Sequence, residues 1–168
     1  MNHEILDEEL AFVICSYRPD FERCARLCAS MDEFISSSVP QFIVVPDRDR
    51  EIFAQLQSTN RSVISTEDVL PARYVQLPLF KKWWLDSGMW PIRGWMMQQV
   101  TKLCADSVTD CENIVFVDSD IEFIRQLQHD RFIREGALRL PRKPMHRNDG
   151  VHLKWHHATA ELLGFKPQ

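Results

Sequence analysis

The sequence contains no run of about 20 uninterrupted apolar residues, the length that a membrane-spanning helix requires. Residues 1–10 are acidic and carry no long apolar stretch, so we expect no signal peptide. These two absences predict a cytoplasmic protein without a transmembrane segment, associated with a membrane at most peripherally.

Excess positive charge is also missing. The formal net charge is -4 and the isoelectric point is about 5.9, whereas nucleic-acid-binding domains are usually strongly basic. We therefore expect no nucleic-acid partner. After Asp130, however, basic residues outnumber acidic ones. This local excess suits an anionic ligand or acceptor, and it is equally consistent with an ordinary solvated surface.

Cysteine is scarce and odd in number, with residues at Cys15, Cys24, Cys28, Cys104 and Cys111. Cys24 and Cys28 are one helical turn apart, which is not typical of a secreted disulfide framework. A zinc site at these two thiols would need two more ligands, and no CxxC pair supplies them. Reduced thiols of a cytoplasmic protein are the simpler interpretation.

The chain does contain an alternation of strand and helix patterns, without internal repeats or low-complexity tracts. Short apolar runs predict buried strands at residues 11–15, 41–45, 62–65 and 113–117, with further short strands at 121–124 and 137–140. Helical spacing of apolar residues predicts helices at 21–35, capped by Asp20, and at 48–57, 92–105 and 151–163, the last ending at Gly164. This alternation predicts an α/β fold with a mostly parallel central sheet and helices on both faces.

Two carboxylates follow the most regular of these strands, in the segment VFVDSD at residues 115–120. Side chains at i and i+2 of an extended segment point the same way, so we expect Asp118 and Asp120 to converge on one cation. Ligands of open α/β sheets bind outside the carboxyl ends of the strands. Carboxylate oxygens favour Mg²⁺ or Mn²⁺, which in turn bind phosphates. The alternative is that Asp118 caps a turn and Asp120 faces solvent.

The order of parts resembles the nucleotide-binding part of a GT-A glycosyltransferase, and closest to it a group of bacterial glycosyltransferase-like proteins classed as a domain of unknown function. The resemblance rests on FVICSY at residues 12–17, on Gly94-Trp95 with Gln98-Gln99 and Lys102, and on the acidic segment at 115–120. It covers roughly residues 11–124 and implies a GT-A-like (Rossmann-like) fold. It also implies Mn²⁺- or Mg²⁺-dependent transfer of a sugar from a nucleotide-diphosphate sugar to a glycan or other acceptor, as in polysaccharide assembly.

The resemblance further implies roles for individual residues. Asp120 would ligate the metal directly, and Asp118 would contact the ribose, or the metal through water. The metal would hold the diphosphate as a leaving group. The other expected donor-side residues are Ser16, Tyr17 and Arg18 beside the base and ribose, Asp47 beside the nucleotide, and Arg93, Gln98 or Gln99, and Lys102 near the diphosphate. For Lys102 the alternative is an exposed helix residue without a ligand.

Histidines and tryptophans supply further candidates. His152 and His156 have the i, i+4 spacing of a helical metal pair, and in several GT-A enzymes a late histidine completes the metal site. Surface histidines are common, however, and the segment lacks the glutamate of a zinc-protease motif. The tryptophan-rich residues 81–95 suit a lid, an acceptor platform or core packing. Trp95 falls in helical apolar register, so we expect it in the core.

GT-A enzymes usually carry an acceptor-binding half after the acidic pair, and here fewer than fifty residues follow it. We therefore expect residues 1–168 to form a single domain whose acceptor-side region, from about 125 to 168, is short or truncated. The catalytic base is not identified. Asp149 is a weak candidate in this region, alongside Glu135 and Glu161.

Two other functions compete with the transferase. A phosphatase of the haloacid dehalogenase type also places Asp-x-Asp after a strand, but near the N-terminus and with Thr or Val two residues after the second Asp, where this chain has Glu122. A non-catalytic nucleotide-sugar-binding module would keep the same fold without turnover.

Overall fold

Two compact units, Met1–His129 and Asp130–Gln168, make up the chain in its computed structural model. The structure describes residues 10–77, 83–128, 131–134, 137–139 and 150–165. The expectation of one domain with a short acceptor-side region from about residue 125 stays a prediction.

Within its described residues, the first unit contains seven strands and four α-helices. The strands are β1 (Leu10–Cys15), β2 (Gln41–Val45), β3 (Arg61–Ser65), β4 (Val75–Gln76), β5 (Trp83–Leu85), β6 (Pro91–Arg93) and β7 (Asn113–Asp118). The helices are α1 (Phe21–Phe34), α2 (Arg50–Phe53), α3 (Thr66–Val69) and α4 (Gly94–Leu103). Short 3-10 turns lie at Arg18–Asp20, Asp47–Asp49, Ala54–Leu56 and Ala105–Ser107.

A four-stranded parallel sheet in the order β3-β2-β1-β7 forms the centre of this unit. Val13, on one face of β1, belongs to an apolar cluster that includes Val69 and Ala105. Phe12 points to the opposite face, because side chains alternate along a strand, and its ring meets Phe123 edge-on at 6.1 Å. The predicted α/β fold with a parallel sheet flanked by helices is therefore confirmed.

Helix α1 connects β1 to β2 and buries one face. Cys24, Leu27, Cys28 and Met31 on this face are at most 2% exposed, as their helical spacing predicts. Asp20 precedes the helix, but the expectation that it caps the helix is wrong, because its side chain makes no capping hydrogen bond. Its carboxylate accepts instead from the Arg23 guanidinium at 3.1 Å.

An antiparallel meander in the order β4-β5-β6 lies between β3 and α4 in the chain. It explains why the expected helix at 92–105 begins only at Gly94: Pro91–Arg93 pairs with Trp83–Leu85 as a strand. The expected helix at 48–57 is likewise broken, and only its middle, Arg50–Phe53, is α-helical.

Trp95 is 62% exposed, so the expectation that it lies in the core is wrong. Helix α4 buries Met97 and Thr101 instead, and Met97 packs with Trp84 of β5. Two residues correspond to about 200° around a helix, which turns Trp95 away from the face that holds Met97. Trp84 is a core residue at 3% exposure, whereas Trp90 is 73% exposed.

Residues 121–124 form no strand, contrary to expectation. The segment lies along α1, where the Phe123 amide donates to the Ser30 hydroxyl at 3.0 Å and the Leu127 amide donates to the Phe34 carbonyl at 2.9 Å. These backbone amides are thus satisfied by the helix, and no sheet partner is needed.

A buried arginine connects the amino ends of β2 and β3 to α1. Arg61 is 5% exposed and forms a two-pronged ion pair with Asp32 at 2.9 and 3.0 Å. It also donates to the Gln41 side chain at 2.9 Å and to the Leu56 carbonyl at 2.7 Å. Nothing in the local sequence pattern marked this residue as a core group.

The second unit contains β8 (Ile133–Arg134), β9 (Ala137–Leu138) and α5 (Gly150–Leu162). β8 and β9 pair antiparallel. The last residue of α5 is Leu162, and Gly164 terminates the helix as expected. Its φ of 72° is a conformation that glycine adopts at little cost. The Gly164 amide donates to the Glu161 carbonyl and the Phe165 amide to the Ala160 carbonyl, which is the Schellman pattern of helix termination. Among the described residues, no helix is long and apolar enough to cross a membrane.

Candidate functional site

The acidic pair lies at the carboxyl end of β7. Cys15, the last residue of β1, is directly opposite Asp118 in the parallel ladder. β1 is followed in the chain by β2 on one side, while β7 joins it on the other side. The strand order therefore reverses between β1 and β7, the position where open α/β sheets bind ligands.

The backbone changes direction within the acidic pair. β7 ends at Asp118, and Ser119 and Asp120 occupy a turn whose Ile121 amide donates to the Asp118 carbonyl at 3.4 Å. The expected reason for convergence, extended backbone through Asp120, is therefore wrong. Ser119 is buried, whereas both aspartates are exposed and accessible from solvent.

Lys102 forms an ion pair with Asp118, with its Nζ 3.1 Å from Oδ1. The lysine side chain is 20% exposed and the aspartate side chain 69%. The ammonium also lies 5.8 Å from the centroid of the Phe116 ring, within the range of a cation–π contact. The structure thus brings together two residues that the sequence separates by sixteen positions.

Gln98 occupies the same helix one turn before Lys102. Its side-chain amide donates to the Cys15 carbonyl at 3.4 Å, which attaches α4 to the end of β1. Burial raises the pKa of the Cys15 thiol to about 11, although Lys102 lowers it and Asp118 raises it further.

This pKa predicts an alkaline loss of stability. The folded chain holds the Cys15 proton up to about pH 11, whereas an ordinary thiol loses it near pH 9. The unfolded chain therefore binds fewer protons between these values, and stability falls as the pH rises through this window by about 2 to 3 kcal/mol. Urea unfolding at pH 8 and pH 10.5 should show a smaller loss for Cys15→Ala than for the wild type. Equal losses would contradict the prediction, and Cys111→Ala is the matched thiol control.

A cavity of about 610 Å³ adjoins this region, within the range of small-molecule sites. Its walls come from the carboxyl ends of β1 and β2, from the meander and from the first turns of α4. Its polar and charged lining residues are Ser16, Tyr17, Arg48, Thr66, Gln76, Arg93, Gln98 and Thr101. Asp118 does not line the cavity, but it lies one strand spacing, about 4.8 Å, from Cys15, which does.

The cavity lining is basic and aromatic. Its described lining residues include two arginines and no acidic side chain, in a chain whose net charge is -4. The Arg93 guanidinium lies 5.5 Å from the centroid of the Trp83 ring, and these residues are opposite each other in the meander. Such a lining favours a ligand with both flat and anionic parts.

Two acidic residues that the sequence did not single out position the loops around the cavity. Asp49 is 4% exposed and accepts the Arg18 backbone amide at 3.0 Å. Glu67 accepts the Asp47 backbone amide at 2.9 Å. The exposed Arg18 and Asp47 do not line the cavity, so their expected contacts with a nucleotide stay predictions.

The remaining candidates are distributed differently. Ser16, Tyr17, Arg93 and Gln98 line the cavity. His152 and His156 are exposed on α5 of the second unit, where the His152 ring meets Trp155 edge-on at 5.2 Å. Their metal ligation stays a prediction. Asp149 lies outside the described residues, as does Glu135.

The acidic turn, residues 118–120, offers two carboxylates as ligands, and their number and type decide which metal ion they suit. Within the part of the chain that the structure describes, no group of three or more His, Cys, Asp or Glu side chains is arranged to hold a metal ion. Two carboxylates do not suit a four-ligand zinc site. They do fit Mg²⁺, which proteins commonly hold with one or two carboxylates while water and substrate phosphates fill the other positions.

A protein-family model matches residues 10–168. The chain belongs to DUF6492, a family of unknown function. The match of DUF6492 covers the parallel sheet, the meander, the acidic turn and the second unit. No curated protein shows a significant match to the chain. DUF6492 carries no assigned activity, so the function has to be argued from the site itself.

Proposed function

We propose that this chain is a metal-dependent glycosyltransferase with a GT-A-like fold, which transfers a sugar from a nucleotide-diphosphate donor to a glycan or other acceptor. The observation that carries the proposal is the position of Asp118 and Asp120. They lie at the carboxyl end of β7, which pairs with β1 where the strand order reverses. A cavity large enough for a nucleoside adjoins this end of the sheet.

The residues of the site would have different roles in binding the donor. Asp118 and Asp120 would hold Mn²⁺ or Mg²⁺, and Lys102 adds positive charge beside the same turn. Ser16 and Tyr17 border the cavity in which the base and ribose would lie. A bound cation would supply Lewis-acid stabilisation of the departing diphosphate.

The transfer itself forms a bond between an acceptor oxygen and the anomeric carbon of the sugar. It breaks the bond from that carbon to a diphosphate oxygen, which leaves with the bonding electrons, and the proton of the acceptor hydroxyl passes to solvent water. Lys102 would favour this step because positive charge stabilises the negative charge that develops on the leaving oxygen.

Nucleotide binding tests the proposal directly. The full chain would be titrated by calorimetry with ADP, CDP, GDP, UDP and TDP, with and without MnCl₂, and its thermal stability measured in parallel. We expect at least one nucleotide to bind only with Mn²⁺. A ligand at 100 times its Kd should stabilise the fold by about 2.7 kcal/mol.

The same samples separate the alternatives. Release of inorganic phosphate from the nucleotide would favour a phosphatase. Metal-dependent nucleotide binding would favour a non-catalytic module if sugars supplied as diphosphate conjugates of the same nucleotide, in added samples, were neither hydrolysed nor transferred. If no nucleoside diphosphate binds the folded chain in the presence of Mn²⁺, the proposal is wrong.

A further inference from the structure

The ion pair of Lys102 with Asp118 occupies the position where the proposed function needs a cation. The Nζ to Oδ1 distance is 3.1 Å. An ammonium this close to the carboxylate repels a divalent cation that approaches the same oxygen atoms. The two positive charges therefore compete for Asp118.

We propose that Lys102 is a displaceable counter-ion of Asp118. When a divalent cation arrives together with a diphosphate, the ammonium leaves the carboxylate and pairs with a diphosphate oxygen. The inference rests on the proposed function and deepens it, because it makes one residue couple the binding of the cation to the binding of the donor.

The surroundings of Lys102 permit this exchange. The residue lies in the last turn of α4, and its helix is attached to β1 through Gln98. The ammonium is a compact charge on a flexible four-carbon stem. It can turn by a few ångströms while the backbone stays in place. Asp118 is 69% exposed, so a cation can reach it from solvent.

We expect the fold not to require the ion pair, because the Asp118 side chain is 69% exposed and ion pairs open to solvent generally contribute little to stability. The helix has other attachments, since Met97 and Thr101 are buried and Met97 packs in an apolar cluster. A neutral residue at position 102 should therefore leave the chain folded, which makes the exchange testable.

The exchange predicts cooperative binding. A cation alone must displace Lys102 from Asp118 without compensation, and a diphosphate alone meets a lysine that is already paired. When both bind, the diphosphate draws Lys102 away from Asp118, and the cation draws Asp118 away from Lys102. Coupling of this kind is reciprocal and typically changes affinity by roughly 5- to 150-fold.

Mn²⁺ binding, followed by electron paramagnetic resonance of the free ion, measures this coupling without any assay of activity. Each variant would be titrated with Mn²⁺ alone and with saturating ADP, CDP, GDP, UDP or TDP, and a titration without protein would correct for the Mn²⁺ that the nucleotide itself binds. In the wild type, the best nucleotide should raise the Mn²⁺ affinity by at least about fivefold. In Lys102→Met, Mn²⁺ alone should bind about two- to fivefold more tightly, and the nucleotide effect should be smaller than in the wild type by about the same factor.

Two variants serve as controls. Lys102→Arg keeps a positive charge and should retain the coupling. Arg23→Gln removes a cation from another exposed ion pair of the same length, 3.1 Å, and should behave as the wild type. Circular dichroism would verify that all variants are folded.

The outcomes separate this inference from the proposed function. If the wild type shows coupling but Lys102→Met binds Mn²⁺ alone no better than the wild type, the exchange is refuted while the transferase proposal stands. If the folded wild type binds no nucleoside diphosphate with Mn²⁺, both fail.

Discussion

Asp120→Asn should lower the affinity of the chain for Mn²⁺ together with a nucleoside diphosphate by about 100-fold or more. Loss of an outer contact to a metal ligand already costs about 10- to 100-fold, and here a direct ligand of a two-carboxylate site would be lost. The amide has the shape of the carboxylate but lacks its charge. Because Asp120 is exposed in a turn, the fold should be unaffected.

Calorimetry with the nucleotide selected in the binding screen gives the measurement. Asp106→Asn provides a matched control, since Asp106 is an exposed acid in the turn after α4 and does not line the cavity. Its variant should bind like the wild type. Equal binding by Asp120→Asn and the wild type would remove the cation from the acidic turn and with it the basis of the transferase assignment.

Arg61→Met should destabilise the chain by about 2 to 6 kcal/mol, because two acceptors lose the donor that Arg61 supplies, at about 1 to 3 kcal/mol for each buried group left unsatisfied. Native domains are stable by only about 5 to 15 kcal/mol, so this is a large fraction. The variant leaves the Gln41 side chain, which is 1% exposed, without its arginine donor. It also takes the donor from the Leu56 carbonyl.

Urea unfolding followed by tryptophan fluorescence would measure this loss. Asp32→Asn is the matched comparison and should cost less than Arg61→Met, because the Gln41 and Leu56 acceptors keep their donor and the Asp32 side chain is 53% exposed. Arg61→Lys keeps the charge but loses the planar fork, so it should fall between the two. A loss below about 1 kcal/mol for Arg61→Met would show that the network is not important for stability.

Local patterns correctly predicted the parts of the fold whose burial follows from neighbours in the sequence. β1, β2, β3 and β7 are short apolar runs, and α1 repeats its apolar residues at helical spacing. The local pattern of apolar residues determines which face of such an element is buried, so the prediction does not require knowledge of the neighbouring elements. The position of the acidic pair at a strand end followed for the same reason.

The same reasoning failed where distant partners decide the outcome. Ile92 and Arg93 were predicted to begin a helix, but they belong to a strand because Pro91–Arg93 pairs with Trp83–Leu85. Residues 121–124 have the composition of a strand, but the Phe123 amide donates to the Ser30 hydroxyl of α1 and not to a neighbouring strand. Trp95 fits an apolar helical register, and only the packing of Met97 against Trp84 determines which side of α4 is buried.

The sequence by itself determined the α/β class, the parallel strands and the location of two carboxylates at the end of β7, because these follow from the local alternation of apolar and polar residues. Only the tertiary structure decided that Lys102 neutralises Asp118, that Asp49 secures the loop after β1 and that Arg61 is buried. Each of these contacts joins residues more than fifteen positions apart, and no local pattern indicates which side chains will meet across such a separation.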